Sequence, residues 1–167
     1  MTDLKTCGGR NREAHTLEPA DFGKHAGRKD GLQEWCKGCM NSYTDDRRLR
    51  VLDPELWTDA WRAAFNANTG APEGALGCRL WLAGKQQNGY GVFQGVVVNR
   101  IVLAQKMGVV PSRSVQAAHL CHTPSCVTPD HVVPMAPTDH QAMDTAYRNN
   151  EVTIEELIGG AWEEFVT

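Results

Sequence analysis

Read for the spacing of its apolar positions, the chain alternates between two periods. Residues 55–67 place Leu56, Trp57, Ala60, Trp61, Ala64 and Phe65 at intervals of three and four, which predicts an amphipathic helix with a broad apolar stripe facing the next domain. Upstream, Asn41-Ser42 can cap a polar helix whose exposed face carries Asp45, Asp46, Arg47, Arg48 and Arg50, and Pro54 interrupts it. Residues 70–74, with two glycines and a proline, read as a linker. Short apolar runs at 79–82, 89–93 and 96–98, separated by Gly and Asn turns, then predict an antiparallel meander. Asn99 is placed to cap a helix holding Ile101, Leu103, Ala104 and Met107, which Gly108 ends ahead of Pro111. A second hairpin, 115–120 with 132–135, encloses an eleven-residue loop, and Pro137-Thr138-Asp139 opens a helix reaching about Tyr147. A last helix over 154–165 is weakened at Gly159-Gly160. Separate runs of strands and helices make this an α+β chain.

Composition adds limits. With 167 residues the chain has room for one ordinary domain or two very small ones. No apolar run approaches the roughly 20 residues of a membrane helix, so no membrane partner is expected. The first residues lack the basic and apolar pattern of a secretory leader, which places the protein in a reducing cytoplasm. In that compartment six cysteines are better read as metal ligands than as disulfides. With aromatic residues at 7%, metal staples would supplement a thin core.

The net charge of -3 is local in origin. Residues 1–50 carry 10 basic and 8 acidic side chains and residues 71–150 carry 6 and 4, whereas the tail from Glu151 holds five glutamates and no base. Both cysteine-bearing segments are therefore mildly basic, which permits a nucleic-acid partner.

The densest chemistry lies in His119-Leu-Cys121-His122-Thr-Pro-Ser-Cys126-Val-Thr-Pro-Asp-His131, where Cys121, Cys126 and His131 follow one another at steps of five. Sulfur and imidazole at loop spacing suit tetrahedral zinc, and Cys78 is the candidate fourth ligand. Near the start, Cys7 and the Cys36-Lys-Gly-Cys39 pair outline a small zinc knuckle. His122 is read as a solvent-facing loop residue.

Over residues 77–148 the sequence resembles the HNH nucleases, most closely the ββα-metal branch that includes the His-Cys box homing endonucleases and many phage HNH proteins. The resemblance rests on Cys78 with Trp81, Gly89-Tyr-Gly91, Asn99-Arg100, the Ala118-His119-Leu-Cys121 to His131 block, and His140. It implies a hairpin and crossing helix around a catalytic divalent ion, Mg2+ or Mn2+. His119 would be the general base, His140 the ion's protein ligand, and Arg100 the contact to the scissile phosphate. Thr128 stands where the family has its middle asparagine, and Ala118 where many members have a ligating aspartate. The N-terminal segment resembles the zinc-binding module found ahead of HNH domains in phage proteins, through Arg28-Lys-Asp-Gly-Leu32 and Trp35-Cys36-Lys-Gly-Cys39. That likeness implies a Cys7, His15, Cys36, Cys39 site, with His25 the second choice for the histidine. Arg10, Arg12, Lys24, Arg28 and Lys29 would track phosphates there.

The resulting expectation is a zinc-binding module at 1–47, an amphipathic helix and linker at 48–74, a ββα-metal nuclease domain at 75–150 and an acidic helix at 151–167. Such a protein would cut DNA in a bacterial host cell, with two structural zinc ions, as a phage or mobile-element enzyme. A homodimer is one arrangement, since relatives of the His-Cys box kind pair to cut both strands. Leu157, Trp162 and Phe165 among the tail glutamates could dock on a phage packaging protein or simply cap the fold. The rival expectation is a non-catalytic, zinc-stabilised DNA-binding or packaging-accessory module.

Overall fold

The structure is a computed structural model and describes residues 4–9 and 13–166. It is an α+β chain of two compact units, Met1–Leu49 and Arg50–Thr167.

The first unit is two short hairpins. Strand β1 (Lys5–Cys7) pairs with β2 (His15–Leu17) in a register that sets Cys7 opposite His15. Strand β3 (Phe22–Lys24) pairs with β4 (Leu32–Cys36), with Phe22 opposite Cys36. Helix α1 (Lys37–Leu52) starts directly after Cys36, and the unit boundary falls within it. Asn41 and Ser42, expected as its cap, therefore lie inside the helix. Among the described residues its buried centre is Phe22 and three cysteines, flanked by Leu17, Leu32 and Trp35.

In the second unit the stripe predicted over 55–67 divides. Pro54–Leu56 is a single tight turn capped by Asp53, and Thr58 then caps helix α2 (Asp59–Asn66) by accepting from the Trp61 N–H. Leu56 falls outside the helix and is 56% exposed. Trp57, Trp61 and Phe65 stack in succession, and Phe65 meets Trp81 and Phe93. Trp81 is fully buried. A Cβ on Gly91 would stand 2.5 Å from the Trp81 ring, so only glycine fits there.

The expected linker at 70–74 is instead strand β5 (Thr69–Glu73), paired with β6 (Cys78–Trp81). Pro72 lies in this two-stranded ladder, where an unpaired edge tolerates it. Strands β7 (Val92–Phe93) and β8 (Val96–Val97) form a separate hairpin, so the expected meander is two unconnected ribbons. Helix α3 (Val98–Met107) starts after Val97, with no side-chain cap from Asn99, and ends on Gly108 at φ 70°. Asn99 is buried within the first turn, its Nδ2 donating to the Ala117 carbonyl at 2.8 Å.

Strand β9 (Gln116–His119) pairs antiparallel with β10 (Val132–Met135), and helix α4 (Pro137–Arg148) follows. The 125–128 part of the enclosed loop is laced to β6: Trp81 N–H donates to the Ser125 carbonyl, Val127 N–H to Arg79, and Arg79 N–H to the Thr128 hydroxyl. The tail breaks at Gly159-Gly160 into helix α5 (Ile154–Ile158) and a tight turn over Ala161–Phe165. Leu157 is fully buried against Ala118, Leu120, Met135 and Met143, with Trp162 and Phe165 packed on the same cluster. These apolar tail side chains thus serve the chain's own core.

Leu157→Ala should leave a cavity in that cluster and cost about 2–5 kcal/mol. Urea denaturation should show a lower midpoint at unchanged slope; an unchanged midpoint would mean the tail is not part of the cooperative core.

Candidate metal centres

Cys7, His15, Cys36 and Cys39 place one ligand atom each within 4.8 Å of all the others. Each position has a local cause. The β1–β2 register brings Cys7 and His15 together, while the turn from β4 into α1 brings Cys36 and Cys39. In that turn the Cys39 N–H donates to Cys36 Sγ at 3.3 Å, and the Cys36 N–H donates to Cys7 Sγ at 3.2 Å. His15 Nδ1–H donates to the Glu13 carbonyl, leaving the Nε2 lone pair 3.5 Å from Cys36 Sγ and 3.8 Å from Cys39 Sγ. These separations match the edge of about 3.5 Å between sulfur and nitrogen around a tetrahedral zinc. The Cys39 N–H and then His15 pull the Cys36 thiol down to about 6, while burial and the neighbouring sulfurs push Cys39 up to about 11. His25, the second choice for the histidine, is not in the cluster; it lines a separate surface hollow with Arg28 and Trp35.

The second cluster, Cys78, Cys121, Cys126 and His131, is wholly buried. Cys78 comes from β6, Cys121 and Cys126 from the loop, and His131 from the tight turn Pro129–His131 that leads into β10. His131 Nδ1 is 3.5 Å from both Cys78 Sγ and Cys126 Sγ. The Cys121 thiol and then Thr128 stabilise a thiolate on Cys126, pulling it down to about 4, whereas Cys126 pushes Cys121 up and burial pushes Cys78 up. Packed this closely, the sulfurs share little negative charge on their own, and a dication is the group that would let them all ionise. Leu76, Leu80, Ile154 and Ile158 cover the site. Both four-residue clusters could hold zinc.

Beside the second cluster stands His119, its ring against the Cys126 carbonyl. His119 ends β9 and is 5% exposed. Its Nε2 is 2.9 Å from the Cys126 carbonyl, which only accepts, so Nε2 carries the hydrogen and the lone pair is on Nδ1. Among the described residues nothing hydrogen-bonds to Nδ1. Burial holds the His119 pKa below its ordinary value of 6.5. His140, in the first turn of α4, shows the opposite nitrogen: Nδ1 meets Gln116 Oε1 at 2.6 Å, leaving Nε2 3.7 Å from Asp144 Oδ2. A cavity of about 280 Å³ opens at His140, lined by Gln86, Tyr90, Asn99, Arg100 and Gln116.

One residue sits otherwise than expected. His122 is not solvent-facing: its ring stacks on Tyr147 at 3.9 Å, the side chain is 20% exposed, and burial lowers its pKa. Its backbone lies in the left-handed region, at φ 47°. The Arg100 guanidinium lies at the cavity but donates to the carbonyls of Val115, Pro111 and Ser112, so it holds the 111–115 loop. Of the basic residues expected to track phosphates, Arg28 pairs with Glu34 at 2.9 Å, Lys24 is exposed, and Lys29 lines a hollow with Arg28 and Asp30. Arg10 and Arg12 lie outside the described residues.

Sequence reasoning missed Asp144 and Gln116. Asp144 carried a usable signal, since His140 and Asp144 are four apart on a predicted helix and so share a face. Compared with family models, curated proteins and solved structures, the chain gives no significant match. No helix among the described residues is long and apolar enough to cross a membrane.

Metal analysis of the purified protein should find two zinc ions per chain. Cys36→Ser should lose one and leave the second unit folded, whereas Cys126→Ser should lose the other and disorder the 121–131 loop by circular dichroism and proteolysis. Full zinc content in both variants would remove the metal reading.

Proposed function

We propose that this chain is a metal-dependent DNA endonuclease of the HNH type, which hydrolyses phosphodiester bonds with His119 as general base. The observation that carries the reading is the opposed presentation of two histidines. His119 keeps its lone pair on a buried Nδ1 because Nε2 is anchored, and His140 keeps Nε2 beside Asp144 because Nδ1 is anchored. Zinc binding by the neighbouring cluster requires neither. The order β9, ligand-bearing loop, β10, α4 also has the strand, loop, strand, helix sequence of a ββα-metal core.

The donor set suits a hard or borderline divalent ion. His140 Nε2 and Asp144 Oδ2, one imidazole and one carboxylate, would hold Mg2+ or Mn2+. Such an ion supplies Lewis-acid stabilisation of the charge that develops on the phosphate and the departing 3′-oxygen. The chain's own part is acid–base and positional. His119 Nδ1 takes the proton of the attacking water as the new P–O bond forms and the bond to the 3′-oxygen breaks. A neutral, desolvated imidazole is suited to that step near pH 7. In this reading Arg100 shapes the cavity through the 111–115 loop, and the N-terminal zinc module supports DNA holding through Lys24 and Lys29. Dimerisation, nicking against double-strand cleavage, and a bacterial host setting belong to the same proposal.

Supercoiled-plasmid cleavage by zinc-loaded protein tests it. Activity should require added Mg2+ or Mn2+ and should fall about 10²- to 10⁴-fold in His119→Ala of equal zinc content. Cleavage unchanged in that variant, or none by the folded wild type on any DNA, would favour a binding module. Because the folded pKa of His119 is depressed, its base form persists to lower pH than a free imidazole allows. The acid limb of the pH profile should therefore lie below 6.5, and a limb above that value would point to another base.

A further inference from the structure

The first unit holds a hollow that neither the metal centres nor the proposed chemistry uses. Its volume is about 190 Å³, and it is lined by His25, Arg28, Gln33, Glu34, Trp35 and Met40. Drug-sized sites start at roughly 300 Å³, so this one fits a single flat ring system. Three stretches build it: the turn over residues 25–31 between β3 and β4, the strand β4, and the first turn of α1. The His25 N–H closes that turn on the Gly31 carbonyl at 2.7 Å, and the Arg28 N–H donates back to the His25 carbonyl at 3.1 Å. Trp35 is half-buried, packed in part on the knuckle core. Gln33 stands two residues before it, roughly 6.6 Å away along an extended strand. A Cβ on Gly23 of β3 would come 3.0 Å from Gln33 Cδ and Oε1, so glycine there is what leaves room for the Gln33 amide. Residues 22–40 carry four basic side chains against Asp30 and Glu34. Glu34 pairs with Arg28 and Asp30 with Lys5, while Lys24 and Lys29 are exposed next to His25 and Arg28.

We infer that this hollow takes one unpaired base of single-stranded DNA, stacked on Trp35 with its edge toward the Gln33 amide and its flanking phosphates on Lys24 and Lys29. The lining selects that occupant. Indole, imidazole and thioether together favour a flat π-system, and stacking on an aromatic side chain is open to every base. The amide of Gln33 offers both a donor and an acceptor to a base edge. An apolar peptide side chain would fill the same volume but would have no use for the amide or the flanking lysines. Paired bases stay inside their stack, out of reach of such a hollow, so its contribution belongs to single strands alone. The site goes beyond the endonuclease reading, which gives this module only contacts to phosphate.

Binding is measured on the zinc-loaded full chain without added Mg2+ or Mn2+, by the fluorescence anisotropy of a labelled DNA strand of about 12 nucleotides, alone and annealed to its complement. Trp35→Ala should weaken single-strand binding about 5- to 150-fold and leave duplex binding as in the wild type. The salt dependence should not change, since no phosphate contact is lost, and Trp35→Phe should recover most of the affinity. Zinc analysis checks that each variant holds two ions. Because Trp35 also packs on the knuckle core, a second measurement leaves the protein unaltered: a strand carrying 5-iododeoxyuridine, irradiated in complex with the wild type, should cross-link to Trp35, His25 or Met40. Single-strand affinity unchanged in Trp35→Ala, an equal loss on the duplex at full zinc content, or cross-links confined to other residues overturns the inference. A chain that holds single strands here yet cuts no DNA loses the endonuclease reading and keeps this site.

Discussion

Cys126 serves two sites with one residue. Its sulfur belongs to the buried four-ligand cluster, while its carbonyl accepts the Nε2–H of His119 and so decides which imidazole nitrogen is available. Metal binding and the state of the candidate base are joined through a single peptide unit. The same loop is laced to β6 on its other side, where the Thr128 hydroxyl accepts from Arg79. One hydroxyl there does work for which an amide would have had two ends, and the loop is nonetheless tied on both flanks. The orientation of His119 therefore depends on β6, on the loop and on the cluster that joins them.

Core packing explains why the chain needs such ties. In the second unit the large rings collect in one place, Trp57, Trp61, Phe65, Trp81 and Phe93, remote in sequence from the hairpin they support. The hairpin and α4 are packed mainly by aliphatic residues, with α5 closing the far side through Leu157. In the first unit the cysteines themselves make up most of the buried centre. Small units of this kind bury too little apolar area to be stable unaided, and a bound metal contributes folding free energy directly.

Much of this was legible in the sequence, and what failed has identifiable causes. Ligand spacing survives because it is set by local loop geometry: Cys121, Cys126 and His131 come together with Cys78, and His15 joins the N-terminal set. The hairpin around that loop and the helix after Pro137 follow from apolar alternation and a proline at a helix start. Residues 70–74 read as a linker because glycine and proline dominate them, yet backbone pairing with β6 needs no apolar side chains. Asn99 looked like a cap by residue type, but its amide serves a tertiary bond to Ala117. Lys37 begins a helix two residues before Cys39, since the knuckle turn itself starts the helix. Asp144 and His122 meet only in the tertiary structure, and a backbone at positive φ leaves no mark in residue type when the residue is histidine.

The two anchored histidines differ in what holds them, and this bears on how the site can change through mutation. His140 is fixed by the side chain of Gln116, which a single codon change can remove or shorten. His119 is fixed by a main-chain carbonyl, which every residue possesses and no substitution deletes. Sequence drift at Gln116 can therefore reorient the His140 ring, while the orientation of His119 can be lost only by moving the loop itself. In a lineage of such proteins, variation would accumulate at the proposed cation site before it reached the proposed base.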